Sequence, residues 1–217
     1  MCELGNQTLK NSKARQEVYA ALGIQPPERL ASTRDWYLSV GFERYTAIDV
    51  NTERDAVAMD LNLDLQEHYG FREQFDLVTN NGTGEHVFNQ YQVFKNAHDL
   101  CRPGGFMIHV LPFYRWVDHG FFSYHPNLFP CLAHQNGYEL QQLWIASSDT
   151  ANLVKLNVEN LKRKKGYRHD FDLDAWPDDP MIAAVMRRVS DRPFETPIQN
   201  LYGGSNITDT AISERYR

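Results

Sequence analysis

Apolar positions along this chain change period at definite places, and the clearest change lies between residues 75 and 111. Phe75-Asp-Leu-Val-Thr79 is a short apolar run, and Phe106-Met-Ile-His-Val-Leu111 is nearly continuous. Such runs suit strands covered on both faces, as in a parallel sheet. Between them, over 84–100, Val87, Phe88, Tyr91, Phe94 and Ala97 recur at helical steps, with Thr83 placed as a cap. Arg102-Pro-Gly-Gly105 turns the chain into the second strand. The pattern predicts one parallel βαβ unit. Its Asn80-Asn-Gly-Thr-Gly84 loop opens at the carboxyl end of a strand, the edge where open α/β sheets bind ligands.

The same reading extends along the chain. A helix is predicted over 12–23, with Ser12 as N-cap, Val18 and Leu22 on one face and Gly23 as the stop. Pro26-Pro27 breaks the chain, and a short helix follows over Arg34–Val40. Tyr45–Ile48 reads as a strand ending at Asp49-Val50-Asn51, and 56–60 as another ending at Asp60. Downstream come a helix over 127–135, a strand over 138–146, a helix over 152–165 and a last strand over 181–189. The basic run Lys162-Arg-Lys-Lys165 reads as a solvated helix end, where positive charge suits the helix dipole. From Pro193 the composition is polar and includes Gly203-Gly204, so an irregular tail over 193–217 follows a domain over 1–192.

Composition narrows the class. A chain of 217 residues buries enough core to need neither disulfides nor metal for stability. The net charge of −6 argues against a nucleic-acid-binding face. Three widely spaced cysteines fit a reducing compartment and make no metal pattern. No apolar run has the length of a membrane span, and no signal-peptide pattern opens the chain, so a cytoplasmic protein is expected. The sequence leaves the oligomeric state open.

Candidate chemistry clusters at the carboxyl edge of the predicted sheet. An acid at the end of the second strand can accept from both hydroxyls of a ribose, a role open to Asp49; the alternative is a solvated turn acid. After the strand ending at Leu111, residues 112–130 are dense in aromatics and histidines. Tyr114, Trp116, Phe121, Phe122, Tyr124 and His125 read as the wall of a small-molecule pocket, the alternative being a hydrophobic cluster that covers the sheet. A hydroxyl acceptor needs a base. His119 is the first candidate, with Asp118 available to orient it, and His86 is the second; His109, inside a strand, reads as a core histidine. No histidine or cysteine pair has metal-ligand spacing, so no metal is expected. Nucleophile-elbow and phosphate-loop motifs are absent.

The pairing of Glu85-His-Val87 after one strand with Leu100-Cys-Arg-Pro-Gly-Gly105 before the next resembles the class I S-adenosylmethionine-dependent methyltransferases. The resemblance implies a Rossmann-like sheet of seven strands, mostly parallel with an antiparallel last strand and helices on both faces. It implies S-adenosylmethionine as cofactor and a small-molecule acceptor, with a sugar or other hydroxyl compound favoured by the aromatic loop. Glu3-Leu-Gly5 matches the acidic opening of the family's first loop, with Asn6 and Gln7 where later glycines are usual. By the same resemblance Asp60 and Leu61 lie at the adenine, the alternative for Asp60 being a turn or N-cap acid before a helix. Val50 joins Asp49, and Asn80, Asn81, Gly82 and Glu85 complete the cofactor set. The family brings a longer apolar run before the acid than Met1-Cys2, so the first strand is expected to be cut short. That short start and the glycine-poor loop leave a competing expectation, a catalytically degenerate binding or scaffold protein. A nicotinamide-dependent oxidoreductase is disfavoured because Gly5 lacks the following Gly-x-x-Gly.

Overall fold

The computed structural model describes residues 1–9, 13–147, 153–156 and 177–199. Its centre is an eight-stranded sheet in the order β3-β2-β1-β4-β5-β8-β6-β7. The strands are β1 (Cys2–Leu4), β2 (Thr46–Asp49), β3 (Val57–Ala58), β4 (Phe75–Asn81), β5 (Cys101–Pro112), β6 (Glu139–Ala146), β7 (Leu153–Lys155) and β8 (Met181–Arg187). The first five are parallel. β8 enters between β5 and β6 and runs antiparallel to both, and β7 pairs antiparallel with β6. The expected Rossmann-like α/β sheet, mostly parallel with an antiparallel last strand, is therefore present, with one strand more than expected.

The pleat separates two cores. Cys2, Leu4, Ile48 and Val78 face one, which is built with α3 (Leu65–Tyr69), α4 (Gln90–Leu100) and α5 (Leu128–Asn136). Their neighbours Met1, Ala47 and Leu77 face the other, with Trp36, Tyr37 and Leu38 of α2 (Thr33–Ser39). Helices thus cover both faces. Ser32 caps α2 by accepting from Asp35 N–H at 3.1 Å.

Four local expectations are corrected. The segment over 84–100 is not one helix: a 3₁₀ turn, Gly84–His86, precedes α4, and Asn89 rather than Thr83 caps α4 by accepting from Gln92 N–H. The later start rotates the buried stripe onto Val93, Phe94, Ala97 and Leu100, leaving Phe88 74% exposed. In α1 (Lys13–Leu22) the buried residue is Tyr19, while Leu22 is exposed. Pro103-Gly104-Gly105 makes an irregularity within β5, whose pairing with β4 jumps from Phe75↔Cys101 to Leu77↔Phe106. Finally, Leu153–Lys155 is a strand where a helix was expected, because the edge of β6 offers backbone partners that leucine spacing cannot reveal. Residues 157–165, with Lys162–Lys165, lie outside the described residues, as do Ser12 and Gly203-Gly204. Among the described residues no helix is long and apolar enough to cross a membrane.

Candidate active site

The carboxyl ends of β1, β2 and β4 meet at one loop. Gly5 has φ +83° and donates its N–H to Ile48 O at 2.8 Å. A Cβ there would lie 2.1 Å from Thr83 Oγ1, so only glycine lets the two chains approach. Asp49 Oδ2 accepts from Asn6 N–H at 2.9 Å, and Oδ1 accepts from the Asn51 side chain at 2.8 Å. Gln7 donates its amide to Asn81 O at 2.7 Å, and Gln7 O accepts from Thr33 Oγ1 at 2.9 Å. Thr83 Oγ1 donates to Leu4 O at 2.9 Å. Gly5, Asn6, Gln7, Asp49 and Asn81 are thereby gathered at one edge, and Gly82 joins β5 through Val110 O.

Arg54 was not anticipated. It adopts φ 51° and donates to Asn6 O at 2.9 Å and Asn6 Oδ1 at 3.1 Å, clasping the loop from outside. A polar Glu-Arg-Asp turn carries no periodic signal, so nothing in the sequence marked it.

The other expected cofactor residues take varied positions. Glu3 is buried against Tyr45, whose hydroxyl donates to its carboxylate at 2.5 Å. Burial pushes the Glu3 carboxyl up to about 7, against the opposing pull of the hydrogen bonds from Tyr45 and the Gln7 backbone. Asp60 Oδ1 accepts from both the backbone and the side chain of Asn62 at 2.8 Å, forming a turn. Val50 is exposed, and the Leu61 side chain belongs to the core, which leaves only its backbone for a ligand. Asn80 is buried; its Oδ1 accepts from Gly84 N–H at 2.9 Å and its Nδ2 lies 3.3 Å from His109 Nδ1. His109 is a core histidine between Phe94 and Phe129, and burial lowers its pKa to about 4.

The second half of the site lies two residues past Thr83. Glu85 Oε1 is 3.3 Å from His119 Nε2 and 3.9 Å from His86 Nε2. The imidazoles meet edge to face with centroids 4.7 Å apart, and Trp116 packs on His119 at 5.0 Å. The Glu85 side chain is 0% exposed, whereas those of His86 and His119 are 50% and 39% exposed. Burial raises the Glu85 pKa while the two imidazoles oppose the shift. Phe121 N–H donates to Glu85 O at 2.7 Å, and a Cβ on Gly120 would lie 2.8 Å from Glu85 Cγ, so the loop after β5 is strapped tightly onto this turn. The carboxylate that meets His119 is therefore Glu85, not the Asp118 expected from sequence proximity.

The aromatic loop divides. Trp116 sits on His119 and donates Nε1–H to Pro180 O at 3.1 Å. Phe121 and Phe122 gather with Phe88, each ring pair near 6 Å, and Phe88 and Phe121 are exposed. Tyr114 is exposed beneath the Arg115 guanidinium. Two expected wall residues stand elsewhere. Tyr124 is 5% exposed with its hydroxyl donating to Gln90 Oε1, so it belongs to the core. His125 Nδ1 accepts from Asn127 N–H at 3.2 Å, at the start of α5.

Residues 31–109 match the family model described as a methyltransferase domain. The match runs from the entry to α2 into β5, in agreement with the class I resemblance of residues 76–111. No curated protein matches the chain. Among solved structures it is similar to the Burkholderia thailandensis 1,6-didemethyltoxoflavin-N1-methyltransferase, with 1,6-didemethyltoxoflavin and S-adenosylhomocysteine bound, at 16% identity, 82% of this chain, 77% of that one and a TM-score of 0.46. It is also similar to the O-methyltransferase of a trans-AT PKS multienzyme of Brevibacillus brevis in complex with S-adenosyl-L-homocysteine, at 10% identity, 88% and 67% coverage and a TM-score of 0.46. A structure concerned with conversion of a disulfide bond into a thioacetal group during echinomycin biosynthesis is similar at 13% identity, 70% and 69% coverage and a TM-score of 0.42.

Proposed function

We propose that this protein is a methyltransferase that takes its methyl group from S-adenosylmethionine and delivers it to a small-molecule acceptor that carries a hydroxyl. The observation that carries this reading is the shared sheet edge, where Thr83 touches the Gly5 loop on one side and leads into Glu85 on the other. The Gly5–Gln7 loop with Asp49 forms the cofactor half, and Glu85, His86 and His119 with the Phe88–Phe121–Phe122 rings form the acceptor half. The rings offer apolar faces to a flat or sugar-like acceptor, and the polar cluster holds its hydroxyl. In the transfer, the acceptor oxygen gives up its proton to solvent, which reaches the half-exposed imidazoles, and attacks the methyl carbon. The carbon–sulfur bond breaks, and S-adenosylhomocysteine leaves. Positioning the two reactants in line supplies much of the acceleration.

Calorimetric titration of the purified chain with S-adenosylhomocysteine and with NAD tests the cofactor assignment. Binding of the first and not the second is expected, followed by transfer of labelled methyl to one member of a panel of hydroxylated aromatics and sugars. Failure to bind S-adenosylhomocysteine would leave the degenerate binding-protein reading in possession.

A further inference from the structure

We propose that Glu85 Oε1, His86 Nε2 and His119 Nε2 form a binding site for one divalent first-row transition ion, Zn²⁺ by preference. The three ligand atoms lie within 4.8 Å of one another. Two ligands at the Zn–N and Zn–O distances typical of proteins are about 3.3 Å apart around a tetrahedral ion. The Glu85–His119 separation is 3.3 Å. The Glu85–His86 separation of 3.9 Å closes by a small rotation of the half-exposed His86 ring. Two imidazoles and one carboxylate are a borderline donor set that suits Zn²⁺ and its neighbours better than Mg²⁺ or Ca²⁺.

A second observation points the same way. The Glu85 side chain is wholly buried, and its Oε2 has no hydrogen-bond partner among the described residues. A buried carboxylate with an open oxygen is costly unless a cation compensates it. The surroundings are also built rather than incidental. Gly120 is the residue that allows the loop to close on Glu85, Phe121 N–H fixes the Glu85 backbone, and Trp116 packs against the His119 ring. Outer contacts of this kind orient metal ligands.

Three protein ligands leave a position open, which is the arrangement of catalytic rather than structural zinc. Both imidazoles are half-exposed, so solvent and an acceptor can reach the cluster. The role of the ion rests on the methyltransferase reading. An acceptor hydroxyl that coordinates it is held in place and loses its proton to solvent more readily. His119 is then a ligand, and not the free base its loop position suggested.

The test measures binding and does not depend on turnover. Metal-stripped protein is titrated with Co²⁺, read by its visible absorption, and with Zn²⁺ in competition by equilibrium dialysis. One ion per chain is expected, with the absorption of a low-coordinate Co²⁺ site. His86→Ala, His119→Ala and Glu85→Gln should each weaken Zn²⁺ about 10–100-fold or more, since even outer-contact changes cost that much. His68→Ala and His134→Ala, both at exposed positions, should leave it unchanged. Because Glu85 is buried, His86→Ala serves as the variant that keeps the fold, with circular dichroism as the check. Absence of Co²⁺ and Zn²⁺ binding, or binding unaltered by His86→Ala and His119→Ala, overturns the site. Stoichiometric metal binding in a protein that does not bind S-adenosylhomocysteine keeps the site and removes the methyltransferase role.

Discussion

Asp49 Oδ2 accepts a hydrogen bond from the backbone N–H of Asn6 at 2.9 Å, so the carboxylate at the end of β2 holds the loop that leaves β1. The same carboxylate accepts from the Asn51 side chain at 2.8 Å. A residue expected to hold a ribose thus also shapes the loop beside it. The two tasks are compatible, because a carboxylate has about four lone-pair sites.

Asp49→Ala is expected to weaken S-adenosylhomocysteine binding by about ten-fold or more, from loss of a charge-assisted acceptor worth roughly 1.5–3 kcal/mol. Asp49→Asn keeps one acceptor oxygen for Asn6 N–H and should fall between the two. Calorimetry on variants with unchanged circular dichroism measures both. Equal affinity in wild type and Asp49→Ala would take Asp49 out of the cofactor site.

Gly5→Ala should disturb the same loop from the other side. The substitution places a methyl group 2.1 Å from Thr83 Oγ1 at φ +83°. A non-glycine residue at positive φ costs about 1–2 kcal/mol before any clash is counted. The Thr83 hydroxyl must also leave Leu4 O, which it meets at 2.9 Å. The melting temperature should drop by several degrees and cofactor affinity should fall with it. The double variant Gly5→Ala, Thr83→Ala should recover part of the stability. No recovery would mean that backbone conformation, not crowding, dominates.

Glu3 should make stability fall as pH rises. Burial raises its carboxyl pKa to about 7 in the folded chain, against an ordinary value of 4.5. The folded state therefore binds more protons than the unfolded state between these two values, and stability decreases with pH across that window. The contribution is fully present below pH 4.5 and lost as pH passes through about 7. The effect is on the order of 2–4 kcal/mol at mildly alkaline pH. Glu3→Gln keeps an oxygen for the Tyr45 hydroxyl and removes the charge, so the variant should be more stable than wild type at alkaline pH. Urea denaturation across the pH range, without cofactor, measures the slope. Parallel curves for the two proteins would show that Glu3 is not protonated in the fold.

The strands around the candidate site were legible in the amino-acid sequence because their signals are local. Apolar runs at 75–79 and 106–111 and the acid after Ile48 report burial and strand ends within a few residues. Other features depended on partners far along the chain. β8 lies between β5 and β6, and Leu153–Lys155 becomes a strand, because open strand edges must find backbone partners wherever these come from. The buried stripe of α4 depended on where the helix starts, which Asn89 decides by capping it. The position of Asp49 at the end of β2 was readable from the apolar run before it, whereas the meeting of Glu85 and His119 was not. The two residues are 34 positions apart, and no periodicity links them. They touch because β4 and β5 are parallel neighbours whose loops leave from the same edge, and because glycine at position 120 lets one loop press against the other. Local sequence determined the central strands at this edge; strand pairing and the packing of distant loops, properties of the whole sheet, decided the rest and which side chains meet at the candidate site.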